Sequence, residues 1–430
     1  MDSYFKVLVL MVCFTVHIMN ETYAQDKLDL NDVSVLWPAP SLENGLANII
    51  AVADLVSSTG QAVWSDSHFQ DLLDAIDSGF TEVEGVQVQF GPEIRNKSAW
   101  MVAAMRVDPC APGCSADLKP PFDSQKTQIR LIVQPVTDGI KVHDVAVHLV
   151  YSWVDDENNR DDLKFRSILS DLDELKNISE DIGAPTAGLP LGVHPALLTN
   201  NAEFNLSLKK FLEKHLSADQ LDSIALMGIQ GGIEPWIFLA LTRLDDNSFG
   251  TIPLSIPSAK PQMIDFRTGG RVVPKPIVDN RPLGGVATAV LFQQPFVDPS
   301  SFAVVGVDST GGELLDESLR NRDIPDLIAN PLHVHFFNTD CVSCHTETRR
   351  RLRLDLEPGG FAFKPDGLPP AIASEQLPKD DWNVRNFGWF TPHSFIGGGP
   401  TVATVTQRSA NESQEVVEFI ERNFRVESVQ

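Results

Sequence analysis

Two cysteines and a histidine stand together near the end of the chain, in the segment FNTDCVSCHTETRR. Cys341 and Cys344 are separated by two residues, and His345 follows directly. On a helix this spacing places the two thiols one turn apart on the same side, with the imidazole beside them. The fold must hold these three side chains in the positions that a bound group requires, so the motif constrains the chain more than any other feature.

The C-x-x-C-H spacing matches the chemistry of covalent haem attachment. Two thiols one turn apart add to the two vinyl groups of a haem and form thioether bonds. The adjacent imidazole is then held beneath the iron as its proximal ligand. The sequence therefore predicts one covalent haem c at Cys341 and Cys344, with His345 as an iron ligand.

Three other interpretations of the cysteine pair remain open. A thioredoxin-like redox pair begins a helix after a strand, and the preceding HVHFFNTD fits that setting only loosely. A zinc site needs two further ligands, which His333 and His335 would supply. A plain disulfide between Cys341 and Cys344 is the third interpretation, and it would constrain the fold little.

The first residues have the form of a bacterial export signal. Lys6 supplies a positive charge, an apolar run spans Leu8–Met19, and Thr22-Tyr23-Ala24 is an acceptable cleavage site. We expect residues 1–24 to be removed and the mature protein to be periplasmic or secreted. No later segment reaches about 18 consecutive apolar residues, so no transmembrane segment is expected after signal removal.

The compartment also bears on the remaining cysteines. Cys13 belongs to the predicted signal, whereas Cys110 and Cys114 lie in the Pro- and Gly-rich loop VDPCAPGCSAD. In an oxidising compartment this pair predicts a local disulfide. A redox-active or metal-binding role for the pair stays open, although the loop contains no histidine.

Residues 320–430 resemble a single-haem c-type cytochrome domain, with a short helix, the C-x-x-C-H motif, an irregular loop region and a C-terminal helix. The resemblance implies that Ile324–Asn330 and Asn411–Asn423 are two helices that pack across each other beside the haem. It also implies one-electron transfer as the activity. Asn411 is the predicted N-cap of the last helix, with Gln414 three residues later.

The sequence departs from this family at the sixth iron ligand. Most small cytochromes of this type use a methionine from the loop region, but no methionine follows Met263. His393, in WFTPHSFIGGGP, is the nearest substitute and would give a lower reduction potential than a methionine ligand. The alternatives are His333 or His335, a methionine such as Met227 or Met263, and an open iron face.

Residues 25–315 mix strand and helix patterns and resemble no family. Thr127–Val136 and Ile140–Val154 alternate around Asp138-Gly139, which predicts a β-hairpin. Apolar periodicity predicts helices at Leu42–Val56 and in DSHFQDLLDAID, DLKFRSILSDLDELK and LSLKKFLEKHL. The predicted fold class is α+β: a mixed strand/helix domain at 25–315, followed by a small, mainly α-helical cytochrome c-like domain at 320–430.

The net charge of the chain indicates which kinds of molecule are disfavoured as binding partners. The net charge of −24 argues against binding to nucleic acids or anionic lipids. We expect an exported monohaem cytochrome that transfers single electrons to an unidentified redox partner protein, with the N-terminal domain as a docking or substrate module. One alternative is a haem oxidoreductase or peroxidase-like enzyme with an open haem face. A further alternative is a non-haem structural or adhesion protein.

Overall fold

The structure is a computed structural model of the 430-residue chain. The residues it describes are 27–43, 45–46, 48–78, 89–111, 113–114, 125–199, 201–229, 236–252, 261–265, 271–273, 285–288, 304–307, 328–331, 341, 344–345, 347, 372–377, 385–391 and 400–425. The predicted export signal and the predicted domain boundary at about 315–322 lie outside these residues.

One antiparallel sheet organises the described part of the chain. Its strands are β1 Ser34–Leu36, β2 Trp100–Ala111, β3 Lys126–Thr137, β4 Lys141–Val142, β5 Val145–Trp153, β6 Leu221–Ile229, β7 Trp236–Arg243, β8 Phe249–Ile252, β9 Pro261–Asp265 and β10 Arg271–Val273. The strand order is β1-β2-β3-β5-β6-β7-β9-β10, with β4 paired to β3 and β8 paired to β7. Two further antiparallel pairs are β11 Gly285–Thr288 with β12 Val304–Val307, and β13 Phe387–Phe390 with β14 Val402–Val405.

Helices occur before, between and after these strands. They are α1 Leu30–Val33, α2 Asp66–Asp77, α3 Asp162–Asp181, α4 Pro195–Leu198, α5 Ala202–His215 and α6 Gln407–Ile420. Short 3-10 turns lie at Val52–Asp54, Lys97–Ala99, Ala218–Gln220 and Ser374–Gln376, and a π turn follows α6 at Glu421–Arg425. The α+β class predicted from the sequence is confirmed.

The predicted hairpin is confirmed, and its turn has a physical cause. Strands β3 and β5 pair antiparallel, with the short β4 folded back on the end of β3. Asp138 and Gly139 between them adopt φ values of 52° and 80°. Successive positive φ values are favoured in tight hairpin turns because their twist matches that of the strands.

The predicted helix at Leu42–Val56 is wrong. This segment instead forms isolated bridges, including one from Ala51 to Met101 of β2, and only a 3-10 turn at Val52–Asp54. Asn48 has a φ of 67°, which no right-handed helix accommodates. Its amide donates 3.2 Å hydrogen bonds to the carbonyls of Leu197 and Thr199, so a distant part of the chain sets the local conformation.

The predicted N-cap of the last helix is also wrong. Helix α6 begins at Gln407, four residues earlier than predicted, and the side chain of Thr406 accepts from the backbone N–H of Ser409. Asn411 lies inside the helix and is fully buried. Its amide donates a 2.8 Å hydrogen bond to the carbonyl of Ala329, so this side chain serves a tertiary contact instead of a cap.

The C-terminal elements share a hydrophobic core with the sheet. Trp389 of β13 is fully buried, and its indole N–H donates to the carbonyl of Trp37 at 3.0 Å. Ser34 of β1 and Ser413 of α6 are joined by a 2.6 Å hydrogen bond. The described parts of 385–425 therefore pack on the sheet that the N-terminal region builds. Within the described ranges, no helix has the length and apolar character needed to cross a membrane.

Candidate functional site

The motif residues that the structure describes form part of a helix. Cys341, Cys344, His345 and Glu347 all have helical conformation, and we call this segment the motif helix. Both cysteines are half-buried, and neither is part of a disulfide. The thiols therefore lie one turn apart with the imidazole next to the second, which is the arrangement that thioether attachment and proximal ligation require.

The motif helix lies against one face of the large sheet. The imidazole of His345 packs on the ring of Phe238 in β7, with 5.0 Å between ring centroids. Phe238 is paired with Met227 of β6, and Met227 with Ala146 of β5, so these three side chains project from the same face. We call this face the site face.

A row of paired residues crosses the centre of the site face. In sheet order it consists of Ala104, Ile132, His148, Ala225 and Ala240. The row is made of apolar residues except for His148, and the neighbours of His148 toward the motif helix are two alanines. This row of the site face therefore consists of apolar, mostly small side chains, with one imidazole in the middle.

Cys344 is held beside the C-terminal hairpin. The amide of Asn386 donates to its Sγ at 3.8 Å. Burial raises the pKa of the Cys344 thiol to about 11, and the charge of Arg408 only partly offsets this effect. Reactive redox cysteines have lowered pKa values because the thiolate is the nucleophile. The surroundings of Cys344 keep it protonated and do not favour the thioredoxin-like interpretation.

A cluster of charged side chains adjoins Cys344, and we call it the arginine cluster. It consists of Arg106, Arg130, Arg408, Glu412 and Asp108. Glu412 accepts hydrogen bonds from Arg106 and, at 2.8 Å, from Nε of Arg408. Burial alone would raise the pKa of Glu412, but the three guanidinium groups lower it far below its ordinary value.

In the arginine cluster three guanidinium groups face two carboxyl groups, and the carboxyl group of Glu415 also acts on Arg106. Arg130 is the cross-strand partner of Arg106, and it lies on the site face two residues from Ile132. Among the described residues, its guanidinium makes no hydrogen bond or ion pair. The cluster therefore offers a half-buried cation beside the row, which suits an anionic group of a bound molecule.

A second ion pair fixes the hairpin next to the site. Arg385 donates to Asp144 at 2.8 Å, and both side chains are buried. Burial lowers the pKa of Arg385, while the charge of Asp144 raises it. Since Asn386 follows Arg385 directly, this ion pair positions the amide that contacts Cys344.

The structure describes only some of the residues predicted from the sequence. Its ranges do not include His333, His335 and His393, and they include only the backbone of Met263. Met227 is buried on the site face, beside Phe238. Outside the site, Cys110 and Cys114 form a close pair with Cα atoms 4.9 Å apart, a separation that a disulfide spans.

Sequence patterns missed His148, Arg130 and Glu412. The odd separation of His143 and His148 predicts opposite faces of one strand, which argues against a metal site shared by those two histidines. That reasoning says nothing about a partner from elsewhere in the chain. The available signal was the alternation of Ile140–Val154, which sets His148 on the face opposite to buried Leu149.

Comparisons with known proteins leave the family open. The chain matches no protein-family model, and no curated protein and no solved structure matches it either.

Proposed function

We propose that this protein is an exported monohaem c-type cytochrome that transfers single electrons. Cys341 and Cys344 would hold the haem through thioether bonds, and His345 would be the proximal iron ligand. When bound, such a group supplies reversible one-electron oxidation and reduction. The N-terminal region would serve as the docking or substrate module, and Cys110 and Cys114 would form a disulfide.

The observation that carries this proposal is the arrangement of three side chains. Two thiols one helical turn apart are followed directly by an imidazole, and that imidazole packs on the ring of Phe238 in the sheet. The donor set fits covalent haem: two sulfurs for the vinyl groups and one nitrogen for the iron. The arginine cluster adds cations of the kind that bind carboxylate groups in bidentate fashion, as haem propionates require.

The remaining features of the chain support a carrier outside the cytoplasm. An N-terminal segment of export-signal form agrees with the maturation compartment of haem c, and the net charge of −24 favours a redox partner with a basic surface. The raised pKa of Cys344 disfavours a dithiol redox function. These observations favour electron transfer over thiol chemistry.

The test is to produce the full-length protein in a host that matures c-type cytochromes. We expect a coloured product whose haem stays with the polypeptide after acid–organic extraction and gives the pyridine haemochrome spectrum of two thioether bonds. The double variant Cys341→Ala/Cys344→Ala should be colourless. The matched variant Cys110→Ala/Cys114→Ala should keep its haem, because that pair is not part of the C-x-x-C-H motif.

A colourless wild-type protein, from cells that mature a control cytochrome, would contradict the proposal and leave the structural or adhesion interpretation. Haem that is fully removed by extraction would contradict covalent attachment. A bound haem that reacts rapidly with carbon monoxide would favour the enzyme with an open iron face over the electron carrier.

A further inference from the structure

The large sheet carries a second nitrogen donor for the same iron. Resting on the proposed function, we infer that His148 of β5 would be a second protein ligand of the same iron, in addition to His345. The motif helix and the sheet would then hold the bound group together, and the N-terminal region would complete the iron site. This assignment gives the sheet a direct chemical role beyond docking.

Placement is the first argument. His148 occupies the middle of the row on the site face, between Ile132 and Ala225. The motif helix contacts this face through His345 on Phe238, and the charge of His345 acts on the imidazole of His148. The two histidines therefore lie near one another, one on the motif helix and one on the sheet.

The second argument is that other segments of the chain contact the site face on both sides of His148. At one end of the row, Gly388 of β13 packs so closely that a Cβ there would lie 3.6 Å from Cγ2 of Ile132. At the other end, His345 covers Phe238 of β7. His148 lies between these two contacts and is half-buried, as are its row neighbours Ala225 and Ala240.

The chemistry of the imidazole is the third argument. No described residue hydrogen-bonds the side chain of His148, so its nitrogens are not used by that part of the fold. Its row neighbours toward the motif helix, Ala225 and Ala240, are small and half-buried. Arg130 and Arg106 lie in the adjacent row and supply cations for the negative edge of a porphyrin.

Two other donors compete for the same position. Met227 shares the site face, but it is buried with 3% of its surface exposed and is held between Ala146 and Phe238. His393 follows the hairpin strand β13 and is outside the described residues. Among these donors, His148 is the half-buried imidazole that strand register places at the middle of the row on the site face.

The test compares His148→Ala and His148→Met with His143→Ala in the haem-loaded, full-length protein. His143 is the matched control, because it is a nearby histidine whose ring is hydrogen-bonded to Thr137 at 2.8 Å and belongs to no row of the site face. Haem content by pyridine haemochrome reports the proposed function. Spin state by electron paramagnetic resonance, together with carbon monoxide binding, reports the axial ligand.

We expect wild-type protein and His143→Ala to be low-spin and indifferent to carbon monoxide. His148→Ala should keep its covalent haem but become high-spin and bind carbon monoxide. His148→Met should remain low-spin with a higher reduction potential, because a thioether favours the ferrous state. This second variant retains a ligand and side-chain bulk, so it tests the assignment even where the alanine variant folds poorly.

Two outcomes would overturn the assignment while leaving the proposed function intact. A wild-type protein with covalent, high-spin haem would mean that no side chain fills the sixth position. A His148→Ala protein that stays low-spin and inert would place the ligand elsewhere, and loss of that spectrum in His393→Ala or Met227→Leu would identify it. Absence of covalent haem from every protein would instead contradict the proposed function itself.

Discussion

At the scale of single residues, Glu412 balances the charge of the arginine cluster. It accepts hydrogen bonds from Arg106 and Arg408, and Arg130 lies across the strand pair from Arg106. Glu412→Gln removes the carboxylate and leaves these guanidinium groups with less compensation. We expect the free energy of unfolding at neutral pH to fall by about 2 kcal/mol, the typical value for hydrogen bonds to charged groups. Urea unfolding followed by circular dichroism measures it.

The same carboxylate predicts a pH signature. Because the arginines lower its pKa below the ordinary 4.5, the folded state binds the proton less readily than the unfolded chain. Its contribution is therefore complete above pH 4.5 and is lost as the pH falls toward the folded-state pKa. Glu412→Gln should flatten the decline of stability below that pH.

Glu213→Gln is the control for both measurements. Glu213 pairs with Lys209 at 3.6 Å on the surface of α5, where an ion pair contributes about 0.5 kcal/mol or less. Equal losses in the two variants would show that Glu412 carries no special charge-balancing role.

At the scale of elements, local signals predicted local structures. Helix α2 begins where Ser65 caps the N–H of His68 at 3.1 Å, and Phe69, Leu72 and Ile76 form its buried stripe. The cap and the spacing are both legible in the sequence, so α2 was predicted at its observed bounds. The C-x-x-C-H motif was legible for the same reason, since its three side chains are neighbours along one helix.

Structures that depend on distant partners were not predictable in this way. The predicted helix at Leu42–Val56 does not form, because the amide of Asn48 donates hydrogen bonds to two carbonyls near residue 198. Asn411 does not cap the last helix, because its amide donates a hydrogen bond to the carbonyl of Ala329. The residues of the candidate site fall into the same two groups, those found from local sequence and those placed by distant parts of the chain. His345 came from a motif, whereas His148 and Arg130 enter through strand register, which only the paired sheet defines.

Lys176 of α3 ties this helix to the start of the chain. It is 4% exposed, and its Nζ donates to the carbonyl of Lys27 at 2.7 Å and to the carboxylates of Asp29 and Asp32 at 2.8 and 3.3 Å. Lys176→Met leaves buried Asp32 without its cation. We expect a loss of about 3 kcal/mol in the free energy of unfolding, as for one-sided removal of a buried ion pair.

The double variant Lys176→Met/Asp32→Asn separates charge from packing. Removing both charges should recover part of the loss, because the stranded carboxylate is the main penalty. Lys209→Met, on the surface of α5, serves as the control and should change stability by less than about 0.5 kcal/mol. A double variant that is less stable than Lys176→Met would contradict the charge-based explanation.

At the scale of the whole molecule, a side-chain amide of the sheet makes two hydrogen bonds to the backbone of the C-terminal hairpin. Gln134 of β3 donates to the carbonyl of Trp389 at 2.9 Å and accepts from its N–H at 2.7 Å. The approach is close because the preceding residue is Gly388, where a Cβ would lie 2.7 Å from Oε1 of Gln134. The separate cytochrome c-like domain at 320–430 stays a prediction, but the described part of its hairpin depends on this contact.

Gly388→Ala should therefore destabilise the molecule as a whole. Its φ of 149° disfavours a side chain, and the added methyl group collides with Gln134 in the core. We expect a loss of about 3 kcal/mol, combining roughly 1 kcal/mol of backbone strain with about 2 kcal/mol of overpacking. Gly188→Ala is the matched control, because its φ is 69° and nothing lies within 4 Å of its Cβ position, so only the strain remains.

The sheet and the hairpin share one core, so both should unfold in a single transition when followed by tryptophan fluorescence and by far-ultraviolet circular dichroism. Gly388→Ala should lower the midpoint of both signals together and by more than Gly188→Ala does. In a haem-loaded protein the haem absorption spectrum should shift at the same midpoint, because the hairpin positions Asn386 beside Cys344. Two separate transitions, with Gly388→Ala lowering the midpoint of only one of them, would mean that the C-terminal region unfolds independently of the sheet.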